Sequence, residues 1–331
     1  MNWDLLEKSP RLLLEAHLQP VAGSRFQPTG FADLGAAEYT LPGGLKMLLV
    51  ESAQSVANRL EKTCLDGDGP DLDPTLSGLS YVAVELEGDG IQKRTSSLVE
   101  AHRIASPYII LNKEFNAQLV KEMAYNPKQP LDWQKIYSTL FKYDANSLIH
   151  GVFLSLLEGG RVRAPRAITG FIEASQVSRV VSGGVKNSPV DPTGKTQLSD
   201  PVPTKSSESG IYSNVPYSRV EYVAGEIKAY FNLDLALIRG YRLGPDATRL
   251  IIALSLLKVR RFLDSSLRLR TACDFELSSD VHVKAPLEFI FPSAADLLTE
   301  VRAGINACTA LFAIPPVTVI RASVKIVEKT K

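Results

Sequence analysis

The sequence has few of the residues that most often carry catalysis or bind metals. It holds 3 cysteines and 4 histidines in 331 residues, and neither type shows the spacing of a metal site. Cys64, Cys273 and Cys308 are odd in number and far apart, which argues against a disulfide framework and indicates a reducing compartment. We therefore expect no metal and no cofactor.

Long apolar segments and a net charge are also lacking. The longest apolar run, around Leu250–Leu257, lies between Arg249 and Lys258 and is too short to cross a membrane. The first ten residues contain acids and no apolar core of a secretory signal, so we expect a cytoplasmic protein without a membrane partner. The formal net charge is only +1, so any binding of nucleic acid must depend on local patches.

Catalytic and nucleotide-binding motifs are absent as well. The GKT of Gly194–Thr196 has Pro189 where a phosphate-binding loop needs its first glycine, and the GDG at Gly88 has Lys93 where a dinucleotide fingerprint needs its third. No GxSxG nucleophile motif occurs. Nothing in these patterns indicates an enzyme.

Hydrophobic patterning predicts interleaved strands and helices, and hence an α+β fold with a mainly antiparallel sheet. Strands are expected at 11–21, on both sides of the turn in YVAVELEGDGIQKR, over ITGFIEASQVSRVV, over the alternating EIKAYFNLDLALIRG, twice in 272–291, and in VTVIRASVKIV. Helices are expected at 45–63, 96–106, 114–125, 132–141, 246–263 and 293–307.

The segment LKMLLVESAQSVANRLEKT is predicted as one helix that starts after Pro42-Gly43-Gly44. Its apolar residues recur at helical spacing, and its polar residues form a narrow stripe that includes Gln54 and Asn58. Such amides are either buried and hydrogen-bonded or directed at a polar ligand.

Residues 182–216 differ in composition from the rest of the chain. They are rich in Ser, Gly, Pro, Thr and Lys and lack the pattern of a packed core. We predict a flexible arm inserted in a single domain that spans residues 1–331. Tyr212 and Tyr217 at the base of this arm either pack or stack on bases.

Two basic clusters offer local positive charge. Arg161, Arg163 and Arg166 alternate in RVRAPR, so they either contact successive phosphates or protect a solvated edge strand. The run from Arg239 to Arg270 carries eight cations against Asp246 and Asp264. This run is a solvated helix face, a protein interface or a surface for the nucleic-acid backbone.

Several ordered blocks resemble a known family. They are RFQPTGFADLG, LLVESAQSVANRLE, SSLVEAHRIASPYI, DANSLIHGVFLS, RVRAPRAITGFIEASQV and SGGVK. Together they span roughly Leu12 to Lys186 and resemble the crRNA-cradling backbone subunit, of the RAMP superfamily, in type I CRISPR Cascade complexes. The branch they resemble is type I-G, formerly grouped in I-U.

The resemblance implies an RRM-like (ferredoxin-like) antiparallel-sheet palm with inserted finger and thumb elements, the thumb corresponding to 182–216. It implies an RNA-binding protein of antiviral defence, whose copies form a helical filament along one crRNA and leave its bases free to pair with target DNA. The other implied partners are the guide-end-binding and large Cascade subunits and a recruited helicase-nuclease, which does the cutting.

By position in these blocks, eleven residues are expected to contact RNA. They are Arg25, Gln27, Gln54, Asn58, Arg59, Arg161, Arg163, Arg166, Gly183, Gly184 and Lys186. Two alternatives stay open. One is a metal-dependent ribonuclease that uses loop acids, with Asp33 first, and the other is a scaffold whose basic run Arg239–Arg270 binds protein.

Overall fold

The computed structural model describes residues 1–31, 33–192 and 214–325. The α-helices of these residues are α1 (Trp3–Lys8), α2 (Ala53–Lys62), α3 (Pro107–Ile110), α4 (Lys113–Glu122), α5 (Trp133–His150), α6 (Leu235–Gly240), α7 (Pro245–Leu263) and α8 (Ala294–Ala307). The strands are β1 (Leu12–Pro20), β2 (Gly30–Phe31), β3 (Gly35–Ala36), β4 (Glu38–Thr40), β5 (Lys46–Glu51), β6 (Tyr81–Gly88), β7 (Ile91–Ser96), β8 (Val152–Phe153), β9 (Arg163–Ala164), β10 (Ile168–Ser175), β11 (Ser178–Lys186), β12 (Val215–Val223), β13 (Glu226–Leu233), β14 (Arg268–Arg270), β15 (Cys273–Leu277), β16 (His282–Ala285) and β17 (Val317–Ser323).

The main sheet has the order β14-β15-β1-β13-β10-β5-β4, and β16 also pairs with β1. All these pairs are antiparallel, so the predicted α+β class and antiparallel sheet are confirmed. Along the chain, β1, α2, β10, β13, α7 and β15 follow as strand, helix, strand, strand, helix, strand. In space their strands lie in the order β15, β1, β13, β10.

Helices α2 and α7 pack on one face of this sheet, where the alternating apolar residues of the strands lie. A Cβ at Gly170 in β10 would lie 2.6 Å from Phe231 and 3.0 Å from Val56, so glycine lets α2 approach the sheet closely. Phe262 of α7 meets Phe231 of β13 edge-on, with ring centroids 6.3 Å apart. The period-two pattern in the sequence therefore marks the core face correctly.

The prediction of one helix over 45–63 is wrong in its first part. Residues Lys46–Glu51 form β5, which pairs with both β4 and β10, and Pro42-Gly43-Gly44 belongs to the turn before it. Helix α2 starts only after Ser52, whose Oγ accepts a hydrogen bond from the amide of Ser55 at 3.2 Å. A short apolar run fits strand and helix patterns equally, and here the two neighbouring strands supply its backbone partners.

Three further boundaries differ from prediction. Ser96 ends β7, and the residues after it form turns and a short 3-10 helix, Arg103–Ala105, while the strand after Ile168 is two strands, β10 and β11. The strand EIKAYFNLDLALIRG ends at Leu233, because Asp234 caps α6 by accepting a hydrogen bond from Leu237 N at 2.8 Å. The predicted helix 132–141 continues as α5 to His150.

A second sheet has the order β17-β6-β7, in which β17 and β6 are parallel. Its strands and the helices α4, α7 and α8 were predicted correctly. The ends of the predicted arm 182–216 are strands, because β11 and β12 pair as a two-stranded ribbon from Ser178 to Lys186. Residues 193–213, including Tyr212, lie outside the described part of the chain. No helix among the described residues is long and apolar enough to span a membrane.

Candidate nucleic-acid interface

A cleft of about 800 Å³ separates the RFQPTGFADLG loop from the base of the β11–β12 ribbon. Gln27 and Thr29 line one wall, and Arg179 and Arg219 line the other. Arg270 lies at its edge. We call it the arginine cleft, because Arg179, Arg219 and Arg270 line one space, and arginine is well suited to bind phosphates.

Arg270 holds the loop in place. One of its nitrogens donates to the carbonyl of Gln27 at 3.0 Å and to that of Val50 at 3.2 Å. Another pairs with the carboxylate of Glu51, which is completely buried at the end of β5. The backbone at Gln27 is therefore fixed to the main sheet beside the cleft, and the contact of Gln27 with RNA stays a prediction.

The guanidinium of Arg59 forms contacts within the protein. Its Nε pairs with Glu51 Oε1 at 2.9 Å, and its guanidinium also donates to the carbonyls of Arg268 and Leu269. Arg59 thus links α2 to β14 and shares the buried carboxylate with Arg270. Each nitrogen of the Arg59 guanidinium thus contacts protein, and its expected contact with RNA stays a prediction.

Arg179 is the more exposed arginine of the cleft. Its side chain keeps 65% of its accessible surface and pairs with Glu38 Oε1 at 2.6 Å. Burial opposes the ionisation of Glu38, but hydrogen bonds from Tyr222 and Arg179 hold the pKa of its carboxyl below the usual value. Glu38 therefore orients Arg179 as a charged group.

The ribbon beside the cleft is built on Gly183 and Gly184. A Cβ at Gly183 would lie 2.6 Å from the carbonyl oxygen of Tyr217, and one at Gly184 would lie 2.8 Å from the Tyr217 hydroxyl. The Tyr217 ring therefore lies across Gly184, and Arg219 sits over it at 5.9 Å. Lys186 is exposed at the end of β11. The expected glycines, lysine and tyrosine thus share one ribbon.

Arg25 borders a neighbouring cleft of about 620 Å³ rather than the arginine cleft. Its guanidinium lies 3.4 Å from Glu221, which also accepts a hydrogen bond from Ser182 at 2.7 Å. Arg219 approaches the same carboxylate at 3.6 Å. Glu221 therefore joins the loop of Arg25 to the ribbon that forms the main cleft.

Gln54, Asn58 and Arg166 meet at the start of α2. Arg166 donates to Gln54 Oε1 at 2.8 Å and to the carbonyl of Ala53 at 3.2 Å, and Gln54 donates to Asn58 Oδ1 at 3.0 Å. Both amides are exposed and hydrogen-bonded within the protein, so they are not buried, and their contact with RNA stays a prediction. They form a polar surface that can meet a ligand.

Arg161 and Arg163 do not share contacts with Arg166. Arg161 donates to the carbonyls of Pro127 and Gln129 at 2.8 and 3.1 Å, so it closes a loop. Arg163 is exposed over the ring of Phe153, 4.5 Å from its centroid. The alternation of RVRAPR therefore yields three different environments, and Arg163 is an exposed arginine that packs on an aromatic ring rather than on backbone carbonyls.

The basic run Arg239–Arg270 does not form a single open surface. Most of its cations contact acids or carbonyls of the described chain. The pairs are Arg239 with Leu6, Arg249 with Glu7, Arg260 with Asp264, Arg261 with Asp73, Arg268 with Asp274 and Arg270 with Glu51. Lys258 is buried and donates to Asn146, while its Nζ lies 2.9 Å from His150 Nε2.

Sequence reasoning missed Arg179, Arg219 and Arg270 as cleft residues. In the sequence Arg270 belongs to a charge run, and Arg179 and Arg219 stand among ordinary strand residues, so no local pattern marks them. The pairing Arg179↔Tyr222 and Ser182↔Arg219 in the ribbon sets where the two arginines lie. That register is not readable from the sequence.

Asp33 lies in the exposed turn of the β2–β3 hairpin. Gly30 and Gly35 of this hairpin line the arginine cleft, so Asp33 is close to it along the chain. Within the described residues, no group of three or more His, Cys, Asp or Glu side chains is arranged to hold a metal ion.

A comparison with known protein families shows which family this chain belongs to. The model of the family described as CRISPR-associated protein GSU0053 matches residues 12–179, which is half of the chain. The chain belongs to this family. The predicted CRISPR association is therefore confirmed, and the matched GSU0053-type region contains the loop of Gln27 and ends at Arg179.

Three solved structures are similar to this GSU0053-family chain at low identity. A chain of a CRISPR RNA-guided surveillance complex in a pre-nicking state shows 14% identity and a TM-score of 0.43, over 91% of this chain and 89% of that one. A second CRISPR RNA-guided surveillance complex gives 13% and 0.37, over 90% and 81%. Csc2 from Thermofilum pendens gives 10% and 0.32, over 94% and 80%. A search of curated proteins finds no match.

Proposed function

We propose that this chain is a non-catalytic crRNA-binding backbone subunit of a type I CRISPR Cascade complex, in the I-G branch. The observation that carries the proposal is the arginine cleft, which joins the RFQPTGFADLG loop of the family-matched region to the β11–β12 ribbon. The cleft supplies local cationic groups to a chain whose net charge is only +1.

In this proposal the main sheet with α2 and α7 is an RRM-like, ferredoxin-like palm of a single domain spanning residues 1–331. The strand-helix-strand-strand-helix-strand order supports it. The second sheet with α4 and α5 is the inserted finger, and the ribbon with the residues up to 216 is the thumb. The first loop, the ribbon and the start of α2 then offer contacts to one RNA.

The RNA is held by its backbone and not read by its bases. The guide portion of a crRNA differs between complexes, so a subunit that reads base edges fails on most guides. Contacts to phosphates and 2′-hydroxyls avoid this problem. The free bases then pair with target DNA, as in other RNA-guided systems. Copies of the chain line up in a helical filament with the other Cascade subunits, and a recruited helicase-nuclease cuts.

Co-expression with a CRISPR array and the partner subunits tests the proposal. The purified particle should be large and should contain RNA of guide length with uniform ends, as measured by light scattering and by sequencing of the bound RNA. A small species free of nucleic acid would contradict it.

Substitutions in the arginine cleft test the site separately. We expect Arg179→Ala together with Arg219→Ala to weaken RNA binding and to reduce the salt slope by about 0.7 for each lost phosphate contact. Arg321→Ala is the matched control, because Arg321 is an exposed arginine that pairs with Glu85 in the other sheet. Equal RNA affinity in the double variant and the control would argue against the cleft.

A metal-dependent ribonuclease is the second candidate, because the hairpin that carries Asp33 borders the same cleft. That function predicts Mg²⁺-dependent cleavage of bound RNA, lost in Asp33→Ala. Gel analysis of RNA incubated with Mg²⁺ decides between the two. RNA that stays intact with the unaltered protein supports the non-catalytic proposal, whereas cleavage abolished by Asp33→Ala supports the ribonuclease.

A further inference from the structure

The main sheet has a second face, opposite α2 and α7, that remains half-buried rather than buried. It carries the alternate residues of the three central strands. These are Leu13, Glu15 and His17 of β1, Lys228, Tyr230 and Asn232 of β13, and Thr169, Phe171 and Glu173 of β10. We call this surface the open sheet face. It is separate from the arginine cleft, whose walls are the first loop and the ribbon.

An aromatic pair lies at its centre. Phe171 and Tyr230 are directly opposite each other on neighbouring strands, and their rings stack with centroids 5.2 Å apart at an angle of 29°. On the other side of Tyr230 the register places Glu15. Partly exposed aromatic rings can stack with planar groups, including bases and guanidinium ions, so we call this pair the aromatic platform.

Carboxylates surround this platform. Glu173 accepts a hydrogen bond from the Tyr39 hydroxyl at 2.6 Å, and Glu226 pairs with Lys228 at 2.8 Å. Glu15 makes no hydrogen bond or ion pair with the described residues. Burial raises the pKa of Tyr230, and the negative charges of Glu15, Glu173 and Glu226 add to this while Lys228 opposes it. Three carboxylates meet one lysine and one histidine, His17, whose Nδ1 lies 3.6 Å from Glu226, so acidic groups predominate around the platform.

The chemistry of the platform favours a cationic donor over RNA. Phosphates would be repelled by the carboxylates, and no arginine lies on the central strands of this face to compensate. One acceptor of this face, Asn232 Oδ1, is buried and has no hydrogen-bond partner among the described residues. A guanidinium group suits this surface, because it can stack on the two rings and donate hydrogen bonds to the carboxylates.

We propose that the open sheet face docks an arginine-bearing segment of a partner protein. One guanidinium stacks on Phe171 and Tyr230 and donates to Glu15, and the segment lies across the strands toward Glu173. This interaction goes beyond RNA binding by the arginine cleft and uses a different surface, so either proposal can fail without the other.

Fluorescence anisotropy with labelled peptides tests the docking surface on the full chain. The probes are a peptide of alternating glycine and arginine and its counterparts with lysine or glutamate in place of arginine. We expect the order of affinity to be arginine, then lysine, with no binding of the glutamate peptide. Glu15→Gln with Glu173→Gln should weaken the arginine peptide by roughly tenfold, because two charge-assisted contacts are lost. The affinity for an RNA oligonucleotide should not fall.

Glu87→Gln is the matched control, because Glu87 is an exposed strand carboxylate of the other sheet. It should leave peptide binding unchanged. The proposal is overturned if the chain binds no arginine peptide or does not distinguish arginine from glutamate. It is also overturned if the double variant binds as the unaltered protein does, or if Glu87→Gln weakens binding equally. Competition by RNA for the peptide, with lower RNA affinity in the double variant, would instead identify a nucleic-acid surface.

Discussion

The guanidinium of Arg270 and the carboxylate of Glu51 form an ion pair in which the carboxylate is fully buried. Arg270 ends β14, and Glu51 ends β5, at opposite sides of the main sheet. The same guanidinium donates to the carbonyl of Gln27. This pair therefore fixes the loop that forms one wall of the arginine cleft.

Glu51→Gln should destabilise the chain strongly. The substitution removes the negative charge shared by Arg59 and Arg270, which keep only 28% and 25% of their side-chain surface exposed. Removing one partner of a buried pair costs about 3 kcal/mol or more, because the remaining charges stay desolvated. Urea unfolding measures the change in the free energy of unfolding.

Glu7→Gln serves as the control for Glu51→Gln. Glu7 also pairs with an arginine, Arg249, but 46% of its side-chain surface is exposed. Its loss should cost about 1 kcal/mol or less. Similar losses of the free energy of unfolding in Glu7→Gln and Glu51→Gln would show that burial does not increase the contribution of the Glu51 ion pair to stability.

Gly184→Val should weaken RNA binding without unfolding the main sheet. A side chain at this position displaces the Tyr217 ring, which lies within 2.8 Å of the Cβ position. If Tyr217 stacks on a base of the guide, the loss is roughly tenfold, the magnitude of one base–aromatic contact. RNA titration by anisotropy measures it, and Tyr217→Ala should give the same loss. Gly240→Ala, where nothing lies within 4 Å, is the control that should keep full affinity.

Arg163→Ala should lower RNA affinity with little change in stability, whereas Arg166→Ala should lower stability. Arg163 is exposed and packs over the ring of Phe153, so its loss should lower RNA affinity and leave the free energy of unfolding within about 0.5 kcal/mol. Arg166 holds the carbonyls of Ala53 and His150, so its loss should cost about 1–3 kcal/mol of stability. RNA titration and urea unfolding of both variants check this, and matching profiles would contradict it.

Stability should depend on pH through Asp144. Burial raises the pKa of its carboxyl from 3.8 to about 6, Glu61 adds to the rise, and Ser147, Arg103 and Lys258 oppose it. Between about pH 4 and pH 6 the folded chain therefore keeps a proton that the unfolded chain has released. Through this group alone, the free energy of unfolding falls as the pH rises across that window.

Asp144→Asn cannot ionise and still offers an acceptor to Ser147. Urea unfolding at several pH values should show the stability of the unaltered protein, relative to this variant, falling from about pH 4 to about pH 6 and constant above it. His150 lies in the same buried cluster and is present in both proteins, so its own titration cancels in the comparison. Asp280→Asn, at an exposed carboxylate, is the control and should show no such trend. A constant difference for Asp144→Asn would contradict the assignment.

The sequence by itself determined the features that depend on neighbouring residues. Alternation in β1 and β13 marks the core face of the sheet, and Ser293 at the start of α8 accepts a hydrogen bond from Asp296 N at 3.2 Å, as a helix cap does. The ordered blocks from Leu12 onward carry the family, which the match over residues 12–179 confirms. These signals are local, so they survive without knowledge of the fold.

Tertiary structure alone decided the features that join distant segments. Lys46–Glu51 is a strand because β4 and β10 bind its backbone on both sides, although its apolar spacing fits a helix. Arg59 and Arg270 share the buried charge of Glu51 because α2 and β14 meet there, so Arg59 has a structural role that its position in the sequence does not reveal. The arginine cleft and the open sheet face likewise arise from strand register, which pairs residues far apart in the chain and which no local pattern encodes.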